Sequence, residues 1–209
     1  MKVRYKAFLN EYFPVLVFPI LSVVLAFAIA IDNPQVLNNR ESVVFTYLGN
    51  ALKGYGGYTA SSDTGNQISF AGLETGDIIL GGYDYCAYGY FSHAGIYCGN
   101  NRVLEGYVDM GITEQNIDHY SNYSKICILR VEAPTEMKIK AVKYIREHEG
   151  NLFYPLCFKT GERFWNCTKI MWKAYADQGL DLVAPDELWI SPDALYNSPK
   201  IRVIREEGR

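Results

Sequence analysis

Two side chains in this sequence could together make and break a bond to a carbonyl carbon: the thiol of Cys167 and the imidazole of His93. Asn166, a strong helix N-cap residue, stands directly before Cys167. The pattern after it predicts a helix from Asn166-Cys167 to about Gln178, closed by Gly179. A thiol in the first turn of a helix meets unbonded backbone N–H groups and the positive end of the helix dipole, and both favour a thiolate. Ile170, Met171, Ala174 and Tyr175 form the inward stripe, with Cys167 one turn ahead on the same side. The thiol is therefore expected to face a sheet, although an unreactive core cysteine would occupy the same place.

His93 lies in Phe91-Ser92-His93-Ala94-Gly95-Ile96, a strand pattern that sends it to one face and Ala94 and Ile96 to the other. A strand facing a helix start brings a base within hydrogen-bond reach of a nucleophile. A core histidine bonded to a backbone carbonyl is the competing reading. Glu105 is the third candidate. Gly99-Asn100-Asn101 predicts a tight turn between His93–Cys98 and Arg102–Tyr107, which places Glu105 across the hairpin from His93. There it would fix the tautomer of the imidazole and stabilise its charged form; a carboxylate on an exposed strand face is the alternative. His119, in a loop after Asp118, and His148, at a helix end, are weaker candidates.

The elements needed to hold these groups are legible. Asp77–Leu80, the hairpin and Lys125–Val131 read as strands. Pro134 opens a helix with Met137, Val142, Tyr144 and Ile145 on one face, and Gly150 ends it. Ser191-Pro192 opens a short turn, Lys200–Arg205 closes as a strand, and Glu41–Leu52 has a helical pattern. The order predicts an α+β domain with a mainly antiparallel sheet. Twenty basic and 23 acidic side chains give a net charge of −3, with no basic run to neutralise phosphates, so no nucleic-acid partner is expected. Five cysteines (Cys86, Cys98, Cys127, Cys157, Cys167) show no C-x-x-C spacing, so no metal or other cofactor is expected.

Thr75-Gly76-Asp77-Ile78-Ile79-Leu80, Phe91-Ser92-His93-Ala94-Gly95-Ile96-Tyr97, Arg102-Val103-Leu104-Glu105, Phe164 to Tyr175 and Ile190-Ser191-Pro192-Asp193-Ala194-Leu195-Tyr196 follow one another in an order that resembles the permuted papain-fold hydrolases. These form the YiiX-like branch of the NlpC superfamily, distantly allied to lecithin retinol acyltransferase. The resemblance implies a permuted papain-like domain over 71–209, with an antiparallel sheet on the nucleophile helix. It implies Cys167 as nucleophile, His93 as base, Glu105 as the orienting residue, and amide or ester hydrolysis without a metal. The substrates implied are cell-wall peptides, acylated lipids or amino-acid conjugates. One departure stands out: the family usually has Ser-Glu after its Cys, and here Thr168-Lys169 follows. A cation two residues from the thiol would favour the thiolate or mark a different substrate preference.

Lys2, Arg4 and Lys6 precede an uncharged run from Tyr12 to Ile31, long enough at helical rise to cross a bilayer. The flanking charges would leave the rest of the chain outside the cytoplasm. Ala28-Ile29-Ala30 also reads as a cleavage site, so residues 1–33 are expected to be a membrane anchor or a signal peptide, and 34–70 a connector. The domain is accordingly expected on the outer side of a membrane or secreted. Three functions are carried forward: a cysteine amidohydrolase, a lipid acyltransferase of the same fold, and a non-catalytic module that binds a wall polymer through its tyrosines.

Overall fold

The computed structural model describes Val24 and residues 43–55, 65–87, 89–107, 109–153, 157–185 and 187–208. The chain divides into units 1–42 and 43–209, and the second holds the sheet and its helices. It opens with helix α1 (Val43–Leu52) and continues through β1 (Ile78–Gly82), β2 (His93–Gly99), β3 (Arg102–Tyr107) and β4 (Gly111–Asn116). A 3₁₀ turn (Ile117–Asn122) leads to β5 (Lys125–Val131), followed by α2 (Thr135–Arg146), α3 (Cys167–Ala176), α4 (Pro192–Tyr196) and β6 (Ile201–Glu207). The six strands form one sheet in the order β4-β3-β2-β1-β5-β6, with every neighbouring pair antiparallel. The expected α+β architecture is therefore present, but β4 and the 3₁₀ turn were not expected, and Pro192–Tyr196 is a short helix where a turn was expected.

Both faces of the sheet are covered, which explains why β1 and β5 are apolar at successive positions instead of alternating with polar ones. Ile78, Leu80, Ala94, Ile96 and Leu104 turn to one side, where Ala141 and Ile145 of α2 and Ile170, Met171 and Ala174 of α3 pack on them. Ile79, Val103 and Ile126 turn to the other side and meet Ile117, Tyr120 and Tyr123, with Ile68 and Phe70 packed alongside. Two glycines admit the tyrosines at close range. A Cβ on Gly81 would lie 2.7 Å from the ring of Tyr123, and one on Gly95 would lie 2.5 Å from the hydroxyl of Tyr120.

The centre of the sheet opens at one end. The β2–β3 ladder stops at Gly95–Glu105, whereas β1–β2 continues to Gly81–His93 and β3–β4 continues to Tyr107–Gly111. His93 and Tyr107 are thus held by their outer neighbours and not by each other, and the gap between them faces the start of α3. The motif around Asp77 is structural: its buried carboxylate takes Nε and an Nη of Arg130 at 2.9 and 2.7 Å and the N–H of Glu74 at 2.8 Å, which pins the start of β1.

The membrane expectation is corrected. Among the described residues no helix is long and apolar enough to cross a membrane. The run Tyr12–Ile31 and the Ala28-Ile29-Ala30 site lie outside the described residues apart from Val24.

Candidate active site

Cys167 is the first residue of α3, and the expected cap is formed: the Asn166 side chain accepts the N–H of Lys169 at 2.7 Å. Thr168 ties the helix start to the segment after it, since its hydroxyl lies 3.1 Å from Asn166 Oδ1 and also contacts the carbonyl of Ile190. Lys169 is turned away from the thiol. Its ammonium donates to the carbonyls of Gly161 (2.7 Å) and Phe164 (3.1 Å), binding the loop that leads into the helix. Residues two apart on a helix do not face each other, and the ammonium of Lys169 is spent on the loop carbonyls.

His93 is 8% exposed, and Glu105 is fully buried. The His93 Nε2 lies 2.7 Å from Glu105 Oε2, which leaves the other ring nitrogen for the Cys167 thiol. Glu105 pairs in register with Gly95 and reaches His93 diagonally, two residues along and on the same face. Burial by itself would lower the pKa of His93. Hydrogen bonds and charge from Cys167 and Glu105 outweigh it and raise the imidazole to about 10. Burial likewise works against the Glu105 charge, but His119 and His93 hold the carboxyl at about 2. The pair is therefore an imidazolium and a carboxylate at neutral pH.

Three further groups complete the cluster. Tyr120 donates its hydroxyl to Glu105 Oε2 at 3.1 Å. Tyr107 stacks on the His93 ring, with centroids 5.1 Å apart and planes 27° from parallel. His119 Nε2 stands 3.2 Å from Glu105 Oε1, an ion-pair contact, since that oxygen has no well-aligned hydrogen bond. The thiol and the imidazole open onto a cavity of about 460 Å³. Tyr83, Tyr107, Tyr123, Phe153 and Trp189 are the aromatic residues of its wall beside His93.

The position of His93 is set from the C-terminal part of the chain. Asp193 of α4, which Ser191 caps, accepts the N–H groups of Tyr90 (2.7 Å) and Phe91 (2.9 Å). This fixes the segment that enters β2 at His93.

No family model and no curated protein matches the sequence. Among solved structures, the crystal structure of the metalloprotein YiiX from Escherichia coli O157:H7 is similar, with a TM-score of 0.55 at 17% sequence identity. The match covers 64% of this chain and 97% of that one. The fold is YiiX-like.

Within this YiiX-like fold Cys167, distant in sequence, comes together with His93 and Glu105 of the β2–β3 hairpin. Sequence reasoning did not single out Tyr107, Tyr120 or Asp193, and the structure brings His119, a weaker candidate there, beside Glu105. His119 had one available signal, since Asn116 two residues before Asp118 is a turn-capping residue, and its side chain does accept the N–H of Asp118. His148 is remote in role: its Nδ1 bonds the Tyr144 carbonyl within its own helix end, at 2.8 Å.

Proposed function

We propose that this chain is a cysteine hydrolase of the permuted papain-like, NlpC-type class that cleaves amide or ester bonds. The observation that carries this reading is the bonded series of Cys167, His93 and Glu105 at the wall of a cavity, with the thiol at the start of α3. The Cys167 sulfur attacks the substrate carbonyl carbon, and the His93 imidazolium gives its proton to the departing amine or alcohol. The acyl group is then held as a thioester. A water molecule attacks it, loses a proton to His93, and releases the acid as the sulfur departs beside the recharged imidazolium. Glu105 keeps the ring oriented and balances its charge through both steps. Unbonded backbone N–H groups in the first turn of α3 are the available donors for the oxyanion.

The aromatic cavity wall supports a neutral, apolar group beside the scissile bond, as in an acylated conjugate, over an acidic wall peptide. The metal named for YiiX finds no donor set here. Among the described residues no group of three His, Cys, Asp or Glu side chains is placed to hold an ion. His93 and His119 both spend a ring nitrogen on Glu105. No step is therefore routed through a metal.

The test is alkylation of the folded chain with iodoacetamide across pH, read by mass spectrometry at each cysteine. All five described cysteines are free thiols, and burial holds Cys98 at about 11 and raises Cys157, so neither competes at low pH. Cys167 should react selectively below pH 7, and His93→Ala should remove the selectivity. Reaction of Cys167 no faster than its neighbours would end the reading.

A further inference from the structure

One carboxylate here serves two histidines, and the hydrolase reading uses only one of them. Glu105 presents Oε2 to His93 at 2.7 Å and Oε1 to His119 at 3.2 Å. His119 is held for this contact from three sides. Its Nδ1 lies 2.6 Å from the carbonyl of Asn116, so Nδ1 carries a proton and donates. Its Nε2 lies 3.2 Å from the Tyr107 hydroxyl, and Tyr107 in turn stacks on His93. Its ring packs on Tyr120, with centroids 4.5 Å apart, and the hydroxyl of Tyr120 bonds the Glu105 oxygen that His93 uses. The charged groups acting on His119 are thus Glu105 from β3 and His93 from β2. Tyr107 and Tyr120 are the phenols in contact with it.

An imidazole donating through Nδ1 and turning Nε2 to a carboxylate has two donor sites and is suited to a positive charge. Glu105, fully buried, faces both rings, and a positive charge on His119 draws on the same carboxylate that holds His93. Each ring weakens the hold of the carboxylate on the other. We propose that His119 is a positioning residue that sets how firmly His93 keeps its proton, by drawing on the second oxygen of Glu105.

The proposal rests on the hydrolase reading for its consequence. A base tied to a buried carboxylate with no competitor would release its proton to a leaving group reluctantly, and would take one back too readily. The side chain of His119 is 28% exposed, so solvent pH reaches this control from outside while His93 stays enclosed.

The experiment needs no turnover. In the full chain carrying Cys167→Ala, which takes away the pull of the thiol on His93, the ring of His93 is titrated by nitrogen-15 NMR. The same titration is made with His119→Gln and with His119→Lys added. The neutral glutamine should move the His93 midpoint upward by about one pH unit, the order of effect of removing a charge across a shared carboxylate. Lysine, which keeps a cation beside Oε1, should hold the midpoint near that of Cys167→Ala alone. An unmoved midpoint in His119→Gln overturns the proposal, and so does an equal upward shift in His119→Lys. A purely structural role would lower the melting temperature of both variants and leave the His93 midpoint in place. Failure of selective alkylation at Cys167 in the parent would instead sink the hydrolase reading, so the two failures are separable.

Discussion

Replacing Glu105 by Gln removes one charge and also halves the accepting capacity at a point where two donors converge. The carboxylate takes His93 and the Tyr120 hydroxyl on Oε2 and faces His119 with Oε1. An amide has one accepting oxygen, and its NH2 must then point at one of the two imidazole N–H groups. The fall of the Glu105 pKa from the ordinary 4.5 to about 2 corresponds to about 3 kcal/mol of stabilisation by these partners. Breaking a buried ion pair from one side costs a similar amount, about 3–5 kcal/mol. Glu105→Gln should therefore lose about 3 kcal/mol in urea unfolding at pH 7, equivalent to roughly 10 °C in Tm for a unit of this size. Alkylation of Cys167 at pH 6 should slow by at least about tenfold, because the imidazolium beside it has lost its counter-charge. A variant with parental stability and a parental alkylation profile would refute the assignment of Glu105 as a group that, with Cys167, charges His93.

The same pair fixes how stability varies with pH. Glu105 lies lower folded than unfolded, so its contribution is full above pH 4.5 and fades as the pH falls towards 2. His93 lies higher folded, so its contribution is full below pH 6.5 and fades as the pH rises towards 10. Urea midpoints measured across pH should peak between 4.5 and 6.5, and Glu105→Gln should flatten both flanks. Asp193→Ala leaves the N–H groups of Tyr90 and Phe91 without their carboxylate, at about 1–3 kcal/mol for each buried donor. It should also reduce Cys167 alkylation, which mass spectrometry would show, although Asp193 touches neither the thiol nor the imidazole of His93. Gly95→Ala places a methyl 2.5 Å from the Tyr120 hydroxyl, and the overpacking should cost about 1–3 kcal/mol by urea unfolding.

What the sequence revealed follows from how local each signal is. The hairpin was legible because its turn has strong chemistry: Asn100 and Asn101 take φ of 54° and 56°, a conformation that asparagine tolerates well. The start of α3 was legible because one residue, Asn166, forms the cap. β4 was missed because Gly-Ile-Thr-Glu-Gln-Asn is an edge strand with a single fully buried position, Ile112, held by its ladder to β3 more than by packing. Missing β4 hid the approach of His119 to Glu105 as well, since the reversal through β4 and the 3₁₀ turn carries it back there. The contacts of Lys169 were hidden for a simpler reason: they lie on the loop before the helix, at the carbonyls of Gly161 and Phe164, which no local pattern marks.

The clamp of Asp193 on Tyr90 and Phe91, which joins residues more than a hundred positions apart, also has a consequence for biosynthesis. His93 is translated early, Cys167 much later, and the residue that seats the entrance to β2 later still. A ribosome-bound chain that has just exposed Cys167 therefore lacks the contact that sets His93 against it. Closing so long a loop is among the slow events of folding. A product truncated before α4 would accordingly carry Cys167 without the contact that seats the entrance to β2.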